Sequence, residues 1–559
     1  MKVSGIVVAA CITAAAGNPL PRPNEGLPDS SAPVVTLAQG AVKGFTDASN
    51  TVFLGIPFAD TTGGANRWQP PQDVPKAKSG TIFDASKYGP TCPQAISGTS
   101  YSQQGEDCLN LNIWVPSSAS SKRRAAHSPP PKGGCHGQKP APGCGATTRN
   151  EDGLPVFVWM YGGAMVTGSS SNPAYQGANF ARKGVIFVSF NTRESIFAYP
   201  NSAELAGMSG SQNFGILDVN KALQWVRDNI AAFGGNPDHI VFGGHSSGSV
   251  QVDHYLWNNP DSFLVGAVQM AANAKSGPAV APVNQALDIV AAEVGCASGD
   301  GQLECLRKVD LYAFQTANFN ATYNTWFTPV VDEITRYQDY ESRFKAGNYA
   351  SHVPLITGNS NYEGALFGLV YEGENTNFTK WINTFDADVP WVPEELLLET
   401  YDQADYNTVS EMSGAQYGDA RFFCPVDYLL DMRSTEQDTW IYRFFANYSQ
   451  GLPVQSPTHG AEIPFFFGGN EVFAGETVTA GEQALADFQN NWFVSWIKNT
   501  TAGPGWEKAS PKAGTLAELG VDNAATIKLS STSDYNSRCQ SVYDPYLPKY
   551  PVIQSVYVS

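Results

Sequence analysis

Basic residues are scarce in this 559-residue chain, which has 34 Lys and Arg against 52 Asp and Glu and a net charge of −18. Such an acidic surface repels nucleic acids and anionic lipids, so we expect neither as a partner. After the N-terminal region no stretch is apolar enough to span a membrane, so no stable membrane anchor is expected. The sequence also lacks an internal period of about 20–50 residues, which excludes solenoids and propellers.

The one targeting pattern lies at the N-terminus, in MKVSGIVVAACITAAAGNPL. Lys2 precedes an apolar run that ends in small residues at 14–16, a pattern typical of a secretory signal peptide. We predict a signal peptide over 1–17 and a single catalytic domain over 18–559. The alternative, a buried N-terminal strand, is disfavoured by the positive charge and the small residues that flank the run.

Cysteines and glycosylation sequons point to the same compartment. Of the nine cysteines, Cys11 lies in the predicted signal peptide, and an even number in an exported chain suggests disulfides, although sequence order alone does not give their pairing. Four N-x-S/T sequons predict glycosylation, and the localisation we expect is secretion. The sequons are at Asn320, Asn377, Asn447 and Asn499.

Residues 116–153 differ in composition from the rest, being basic and rich in Pro, Gly and Ser. They separate two strand-like segments and are predicted to form a disordered insertion, with Cys135 and Cys144 joined locally. Untranslated sequence read as an exon is the second interpretation. A zinc site from Cys135, His136 and Cys144 is the least favoured, because a fourth ligand and the usual paired spacing are missing. No metal or cofactor is therefore expected.

Alternating strand and helix signals indicate an α/β fold. LPVFVWMYGG and GVIFVSFN are continuous apolar runs that suit strands buried on both faces. A helical pattern follows, with Val219, Leu223, Val226 and Ile230 on one face and Gly234 at its end. HIVFGG is a further short strand signal. This order predicts a large, mostly parallel central sheet flanked by helices.

The segment IVFGGHSSGSV places Ser246 in a G-x-S-x-G motif. Such a motif arises easily by chance in a chain with 53 glycines, so its context matters more than its letters. Here it follows a buried strand and opens a helix, as a nucleophile on a sharp strand-to-helix turn requires. Ser246 is the predicted nucleophile.

A serine nucleophile needs a histidine base and an acid that orients it, in the chain order serine, acid, histidine. His254 lies too close to Ser246, and His352 leaves little room for an acid. His459, in SPTHGAEIPFFFG, lies far downstream and is the best candidate for the base. Glu363 and Asp332 both remain candidates for the acid, and Glu363 better meets the expectation that the acid follows a strand.

An oxyanion site requires backbone N–H groups that no bulky side chain covers. MYGGAMVTG follows a strand and offers the N–H groups of Gly162, Gly163 and Ala164, and the N–H of Ser247 would complete the set. An ordinary turn is the alternative interpretation of this segment.

With these segments in view, the chain resembles the type-B carboxylesterase/lipase family, the cholinesterase-like branch of the α/β-hydrolases, from about residue 33 to 545. GEDCLNLNIW at 105–114 looks like a family signature, the stretch at 213–248 is similar to the nucleophile region, and GAEIPFFFG at 460–468 resembles the segment after the base. The resemblance implies an α/β-hydrolase fold and no cofactor.

Matched by position, the resemblance implies Ser246 as nucleophile, Glu363 as acid and His459 as base, with oxyanion donors Gly163, Ala164 and Ser247. It also implies a structural ion pair between Glu106 and Arg193. The disulfides that it implies are Cys92–Cys108, Cys296–Cys305 and Cys424–Cys539.

Several positions depart from the family pattern. Tyr161 stands where many relatives have His, Met165 where an aromatic residue is frequent, and His245 where cholinesterases have Glu. The segment between Cys92 and Cys108 is short and has no Trp, which removes a platform for a quaternary ammonium. These departures argue against choline esters and favour soluble esters over triglycerides.

The function expected from the sequence is ester hydrolysis by a secreted serine carboxylesterase acting on a small-molecule ester. An acyltransferase or lactone-forming or lactone-opening esterase of secondary metabolism is the first alternative, because it would use the same acyl-enzyme. A non-catalytic, cholinesterase-like adhesion protein is the second, disfavoured because all three triad positions are filled. The aromatic residues considered as substrate contacts are Tyr161, Trp326, Phe327, Phe367, Phe466 and Phe467.

Overall fold

A computed structural model describes most of the chain. The described residues are 32–47, 49–94, 103–117, 153–272, 279–280, 286–320, 327–370, 377–384, 392–448, 457–469, 478–511, 514–547 and 552–553. The predicted signal peptide, most of the 116–153 insertion with Cys135, His136 and Cys144, and Trp326 lie outside these residues.

The described ranges contain sixteen strands, numbered in chain order. They are β1 (Val34–Leu37), β2 (Gly40–Lys43), β3 (Phe45–Thr46), β4 (Asn50–Pro57), β5 (Ile82–Asp84), β6 (Asn110–Pro116), β7 (Leu154–Met160), β8 (Ile186–Phe190), β9 (Gly235–His245), β10 (Gly266–Met270), β11 (Ala279–Val280), β12 (Leu355–Ser360), β13 (Thr439–Phe444), β14 (Thr515–Leu519), β15 (Ile527–Ser531) and β16 (Val552–Ile553).

The same ranges contain sixteen α-helices. They are α1 (Ala178–Arg182), α2 (Ser195–Ala198), α3 (Ala203–Ala206), α4 (Phe214–Asn229), α5 (Ser247–Asn258), α6 (Ala286–Glu293), α7 (Gln302–Lys308), α8 (Leu311–Asn320), α9 (Tyr340–Lys345), α10 (Ala365–Val370), α11 (Phe378–Thr384), α12 (Glu394–Thr400), α13 (Val409–Gly418), α14 (Cys424–Arg433), α15 (Ile463–Phe466) and α16 (Ala480–Lys498). A π-helical turn, Asp419–Phe423, joins α13 to α14, and a second lies at Cys539–Tyr543.

Eleven strands form one sheet in the order β15-β14-β13-β12-β10-β9-β7-β8-β6-β4-β3. The strands from β14 to β8 in this order run parallel, and the pairs at both ends of the sheet are antiparallel. The predicted large and mostly parallel sheet is therefore confirmed. The strands β1, β2 and β5 form a separate three-stranded sheet.

The segments with the clearest sequence patterns form the centre of this sheet. All five side chains of β8 and the last five of β7 are buried, as their continuous apolar runs predict. In α4 the predicted apolar face is buried, and the helix continues as a 3₁₀ turn to Phe233. Gly234 then ends it with φ of 91°, a left-handed conformation that glycine adopts without steric cost.

The parallel arrangement brings the ends of several strands to one edge of the sheet. β7, β9 and β12 each end a few residues before a segment that holds a predicted site residue. Because carboxyl ends of parallel strands share an edge, residues far apart in the chain meet there.

Three disulfides join Cys92 to Cys108, Cys296 to Cys305 and Cys424 to Cys539, the pairs that the resemblance implies. Three of the four sequon asparagines, Asn377, Asn447 and Asn499, are exposed. Only the backbone of Asn320, the last residue of α8, is described. Among the described residues, no helix has both the length and the hydropathy that crossing a membrane requires.

The predicted ion pair between Glu106 and Arg193 is wrong. Glu106 instead accepts two bonds from the Arg67 guanidinium, at 2.6 and 2.8 Å. The Arg193 guanidinium donates two hydrogen bonds to Asp218, at 2.9 and 2.6 Å. Both arginines are buried, and each planar guanidinium finds a carboxylate that it can meet with two parallel bonds.

Candidate active site

Ser246 lies on a sharp turn between β9 and α5. Its φ and ψ are 54° and −124°, a conformation that a non-glycine residue seldom adopts and that persists only where the surroundings hold it. Its backbone N–H donates to the carbonyl of Met270 at the end of the neighbouring strand β10, at 2.9 Å. Its own carbonyl accepts from the amide of Ser249 at 2.8 Å. The turn is thus fixed from both sides.

The structure brings Ser246, His459 and Glu363 together, as the sequence predicts. The distance from Ser246 Oγ to His459 Nε2 is 2.9 Å, and the distance from His459 Nδ1 to Glu363 Oε2 is 2.5 Å. All three residues are buried, and the glutamate has no exposed surface. The imidazole can therefore take a proton from the serine on one nitrogen while the carboxyl group fixes the other.

The loops that carry Glu363 and His459 are tied to each other. Glu363 follows β12, and His459 lies in the connection after β13, the strand next to β12. The backbone N–H of Tyr362 donates to the carbonyl of Pro457 at 2.9 Å, so the residues preceding the acid and the base are paired. Glu363 Oε1 also accepts from the backbone N–H of Ser360 at 2.6 Å, which fixes the carboxyl group.

The other candidates for acid and base lie elsewhere. Asp332 Oδ1 accepts from the backbone N–H of Thr335 at 2.7 Å, so this carboxylate stabilises the turn in which it lies. His352 bonds through Nε2 to the carbonyl of Ser262 at 2.9 Å. His254 is buried in α5, and its pKa is lowered to about 4, mainly by burial.

The segment after β7 passes directly against the serine turn. Gly163, Ala164 and Met165 have φ values of 144°, 57° and 62°, so three consecutive residues adopt the left-handed region. A Cβ on Gly162 would lie 2.8 Å from Ser246 Cβ, which only glycine avoids. The segment 162–165 is called the oxyanion loop below, because its backbone passes against the serine and it holds the predicted oxyanion donors.

Comparison with known proteins agrees with this geometry. Residues 31–538 match the model of the Carboxylesterase family. The protein belongs to this family. It is therefore a carboxylic ester hydrolase, and the resemblance seen in its sequence is confirmed.

Relatives of this carboxylesterase include bacterial esterases and fungal lipases. It is 28% identical to the para-nitrobenzyl esterase of Bacillus subtilis over 522 residues, 90% of this chain and 97% of that one. It is also 28% identical to Secreted lipase 1 of Botryotinia fuckeliana over 540 residues, 84% of this chain and 87% of the relative. A solved carboxylesterase of Geobacillus stearothermophilus superposes with a TM-score of 0.72 at 24% identity, covering 91% and 99% of the two chains. The α/β-hydrolase fold is confirmed.

A second buried carboxyl group lies near Glu363, and it is not among the site residues that the sequence predicts. Glu462 has no exposed surface, and its Oε2 accepts from the Ser360 hydroxyl at 2.6 Å. Burial, together with the nearby Glu363, raises the pKa of Glu462 to about 8. Glu462 is thus mostly protonated at pH 7. Its place three residues after His459, inside a segment of family resemblance, was the available signal.

Aromatic side chains surround the imidazole of this carboxylesterase. The Phe367 ring lies 5.5 Å from the His459 ring, and the Phe422 ring lies 5.0 Å from it. Phe422 belongs to the π-helical turn before α14, and no sequence motif points to it. Tyr417 stacks on Phe367 at 4.6 Å and completes the group. We call Phe367, Tyr417 and Phe422 the aromatic wall.

The other aromatic candidates are core residues. Phe466 packs against Tyr442 and Phe493, each at 5.3 Å. Phe467 packs against Trp159 at 5.0 Å, and Phe327 belongs to a separate buried cluster. Met165, the departure in the oxyanion loop, packs beside a small buried cluster around Tyr199.

The residue before the serine, His245, is a second buried imidazole. Its ring centre lies 4.7 Å from that of His459, and its Nε2 has no hydrogen-bond partner within the part of the chain that the structure describes. Burial and the neighbouring His459 lower the pKa of His245 well below its usual value. The side chain is thus uncharged at pH 7.

Proposed function

We propose that the protein is a secreted serine carboxylesterase that cleaves its ester through an acyl-enzyme on Ser246. The observation that carries the proposal is the hydrogen-bonded series from Ser246 Oγ to His459 at 2.9 Å and on to Glu363 at 2.5 Å. A serine hydroxyl is a weak nucleophile unless a base takes its proton. This arrangement supplies the base and a carboxyl group that orients it.

In the first half-reaction His459 Nε2 accepts the Ser246 proton as Oγ attacks the ester carbonyl. The oxyanion of the tetrahedral intermediate accepts hydrogen bonds from the N–H groups of Gly163, Ala164 and Ser247. His459 then gives its proton to the leaving alcohol, and the acyl group stays on Ser246. Water repeats the sequence and releases the acid. Glu363 stabilises the imidazolium formed in each half.

The case for secretion combines independent features. The N-terminal sequence has a signal pattern, three disulfides join buried or half-buried cysteines, and three sequons are exposed. A fungal relative is named a secreted lipase. We expect the active protein in the culture medium of an expressing host, with a mature N-terminus near residue 18 and a loss of mass on treatment with an N-glycosidase. Retention in the cells with Met1 intact would contradict secretion.

We propose an uncharged ester as the substrate. Phe367 and Phe422, the rings of the aromatic wall beside His459, are buried, and the neutral His245 supplies no negative charge that would attract a cation next to the nucleophile. A quaternary ammonium ester would therefore bind less well than its neutral isostere.

Replacement of the nucleophile tests the proposed mechanism. Ser246→Ala should reduce hydrolysis of p-nitrophenyl acetate by about 10⁴-fold or more and abolish labelling by a fluorophosphonate. Ser189→Ala is the matched control, because Ser189 is also buried but its hydroxyl accepts from Asn112, at 3.2 Å. We expect the control to keep its activity. Full hydrolysis by Ser246→Ala would overturn the proposal.

A pair of isosteric esters tests the substrate class. We expect kcat/KM for 3,3-dimethylbutyl butyrate to exceed that for butyrylcholine, which differs from it by a charged nitrogen in place of a carbon. His245→Glu should narrow this difference by restoring a negative charge beside the serine. An equal or greater kcat/KM for butyrylcholine in the wild type would contradict the proposed substrate class.

A further inference from the structure

A third buried carboxyl group, Glu194, lies beside the oxyanion loop. It follows β8 in a short buried segment, and the adjacent Arg193 does not neutralise it. The Arg193 guanidinium is occupied by Asp218 and by the carbonyl of Gln69. Burial raises the pKa of Glu194 to about 8, so the group is a neutral acid at pH 7.

The partners of Glu194 are two hydroxyl groups that meet one of its oxygens. The Tyr161 hydroxyl donates to Glu194 Oε1 at 2.8 Å, and the Thr192 hydroxyl donates to the same oxygen at 3.1 Å. The backbone N–H of Thr192 in turn donates to the Tyr161 hydroxyl at 3.2 Å. Tyr161 is thus held at its tip by both a side chain and a backbone group.

Tyr161 is the residue from which the oxyanion loop begins. At the other end of the loop, the carbonyl of Met165 accepts from the backbone N–H of Ser195 at 2.8 Å. Both ends of the loop are therefore bonded to residues 192–195. The Tyr161 ring also packs closely against Gly168, where an added Cβ would lie 2.3 Å from the ring.

We propose that Glu194 and Tyr161 are positioning residues that hold the oxyanion loop in the geometry in which its N–H groups face the oxyanion. The proposal rests on the proposed function, which assigns Gly163 and Ala164 as donors. Both side chains are buried. They act because the loop backbone is left-handed at consecutive residues and persists only when its surroundings fix it.

Removal of the Tyr161 hydroxyl tests this role. Tyr161→Phe should lower kcat for p-nitrophenyl acetate by about 10- to 100-fold with little change in KM, because displaced donors weaken binding of the transition state more than that of the ester. The affinity for a trifluoromethyl ketone, whose adduct carries an oxyanion, should fall by a similar factor. A role limited to stability would change neither quantity at a temperature where the variant is folded.

Tyr401→Phe is the matched control. Tyr401 is also buried, and its hydroxyl also donates to a carboxyl oxygen, that of Asp419, at 2.8 Å. Each hydroxyl also has a second partner, the Thr192 N–H for Tyr161 and the Tyr543 hydroxyl for Tyr401, so we expect similar losses of stability. Only Tyr161→Phe should lose kcat. The inference is overturned if the two variants have kcat values within about twofold of each other.

Two substitutions of Glu194 give a test that does not depend on folding of the tyrosine variant. Glu194→Gln keeps a carbonyl oxygen for the Tyr161 hydroxyl and should keep kcat within about threefold of the wild type, whereas Glu194→Leu should lose about 10- to 100-fold. Equal kcat values for the two variants would overturn the inference. Failure of the proposed function is seen separately, as full activity of Ser246→Ala.

Discussion

Two fully buried carboxyl groups, Glu363 and Glu462, lie near each other, and their exchange for amides should give very different results. Glu363 contacts Nδ1 of the imidazole, whereas Glu462 accepts a hydrogen bond from the Ser360 hydroxyl. Ser360 serves both groups, since its backbone N–H donates to Glu363 and its hydroxyl donates to Glu462. Sequence position alone does not tell which carboxyl group orients the base. The contact with Nδ1 supports our proposal that Glu363 has this role.

For Glu363→Gln we expect kcat to fall by about 10³- to 10⁴-fold, or about 4–5.5 kcal/mol of barrier. The amide preserves shape but removes the negative charge that stabilises the imidazolium, and it can hold His459 in the wrong tautomer. Because the ester itself does not touch this residue, KM should change little.

For Glu462→Gln we expect kcat at pH 7 to stay within about threefold of the wild type. The raised pKa of Glu462, about 8, means that the native group is already neutral at this pH, so the amide alters no charge. Saturation kinetics with p-nitrophenyl acetate and the rate of fluorophosphonate labelling give two measures of the same effect. A larger loss of kcat in Glu462→Gln than in Glu363→Gln would refute the assignment of the acid.

The stability of Glu462→Gln should depend on pH in a defined direction. The pKa of Glu462 rises from an ordinary 4.5 to about 8 on folding, so the folded state binds the extra proton between these values. The stability that this proton provides is complete below pH 4.5 and is lost as the pH rises through 8. We therefore expect the melting temperature of Glu462→Gln, relative to wild type, to be higher at pH 9 than at pH 5.

Two further predictions concern the packing around the site. Arg67→Met should cost about 3–5 kcal/mol of unfolding free energy in urea titrations, because it leaves the mostly buried Glu106 unpaired. In double-mutant cycles of the unfolding free energy, Glu106→Gln should couple strongly to Arg67→Met and by less than about 0.5 kcal/mol to Arg193→Met. Stronger coupling to Arg193→Met would mean that Glu106 pairs with Arg193 instead. Gly248→Ala should lower kcat by about 100-fold or more, since its Cβ would lie 2.4 Å from the Met160 carbonyl oxygen; a variant with wild-type kcat would contradict this packing.

The sequence was informative where function imposes a local pattern. The strand before Ser246, the helix after it and the glycines between them are readable from consecutive residues, and β7, β8 and α4 follow their patterns. The required order of serine, acid and histidine then selected His459 by elimination. Preference for Glu363 over Asp332 rested on the strand that precedes it, and the structure places only Glu363 against the imidazole.

Contacts between distant segments could not be predicted in the same way. Arg67 and Arg193 are both cations able to pair with Glu106, and only the tertiary fold brings the first to it. Phe422 reaches His459 through a π-helical turn that leaves no periodic signal. Glu194 follows a strand as many loop residues do, and its importance appears only when its bond to Tyr161 is seen.

Two of the buried carboxyl groups around the serine have raised pKa values. Burial raises the pKa values of Glu194 and Glu462 to about 8, even though the hydrogen bonds from hydroxyl groups act in the opposite direction. If both ionised, they would place two further negative charges near the point where an oxyanion must form, and they would oppose it. As neutral acids they keep their hydrogen bonds without that repulsion. Because the protonated Glu194 and Glu462 add no negative charge, the site has little to attract a cation. We therefore expect it to select esters that carry no cation.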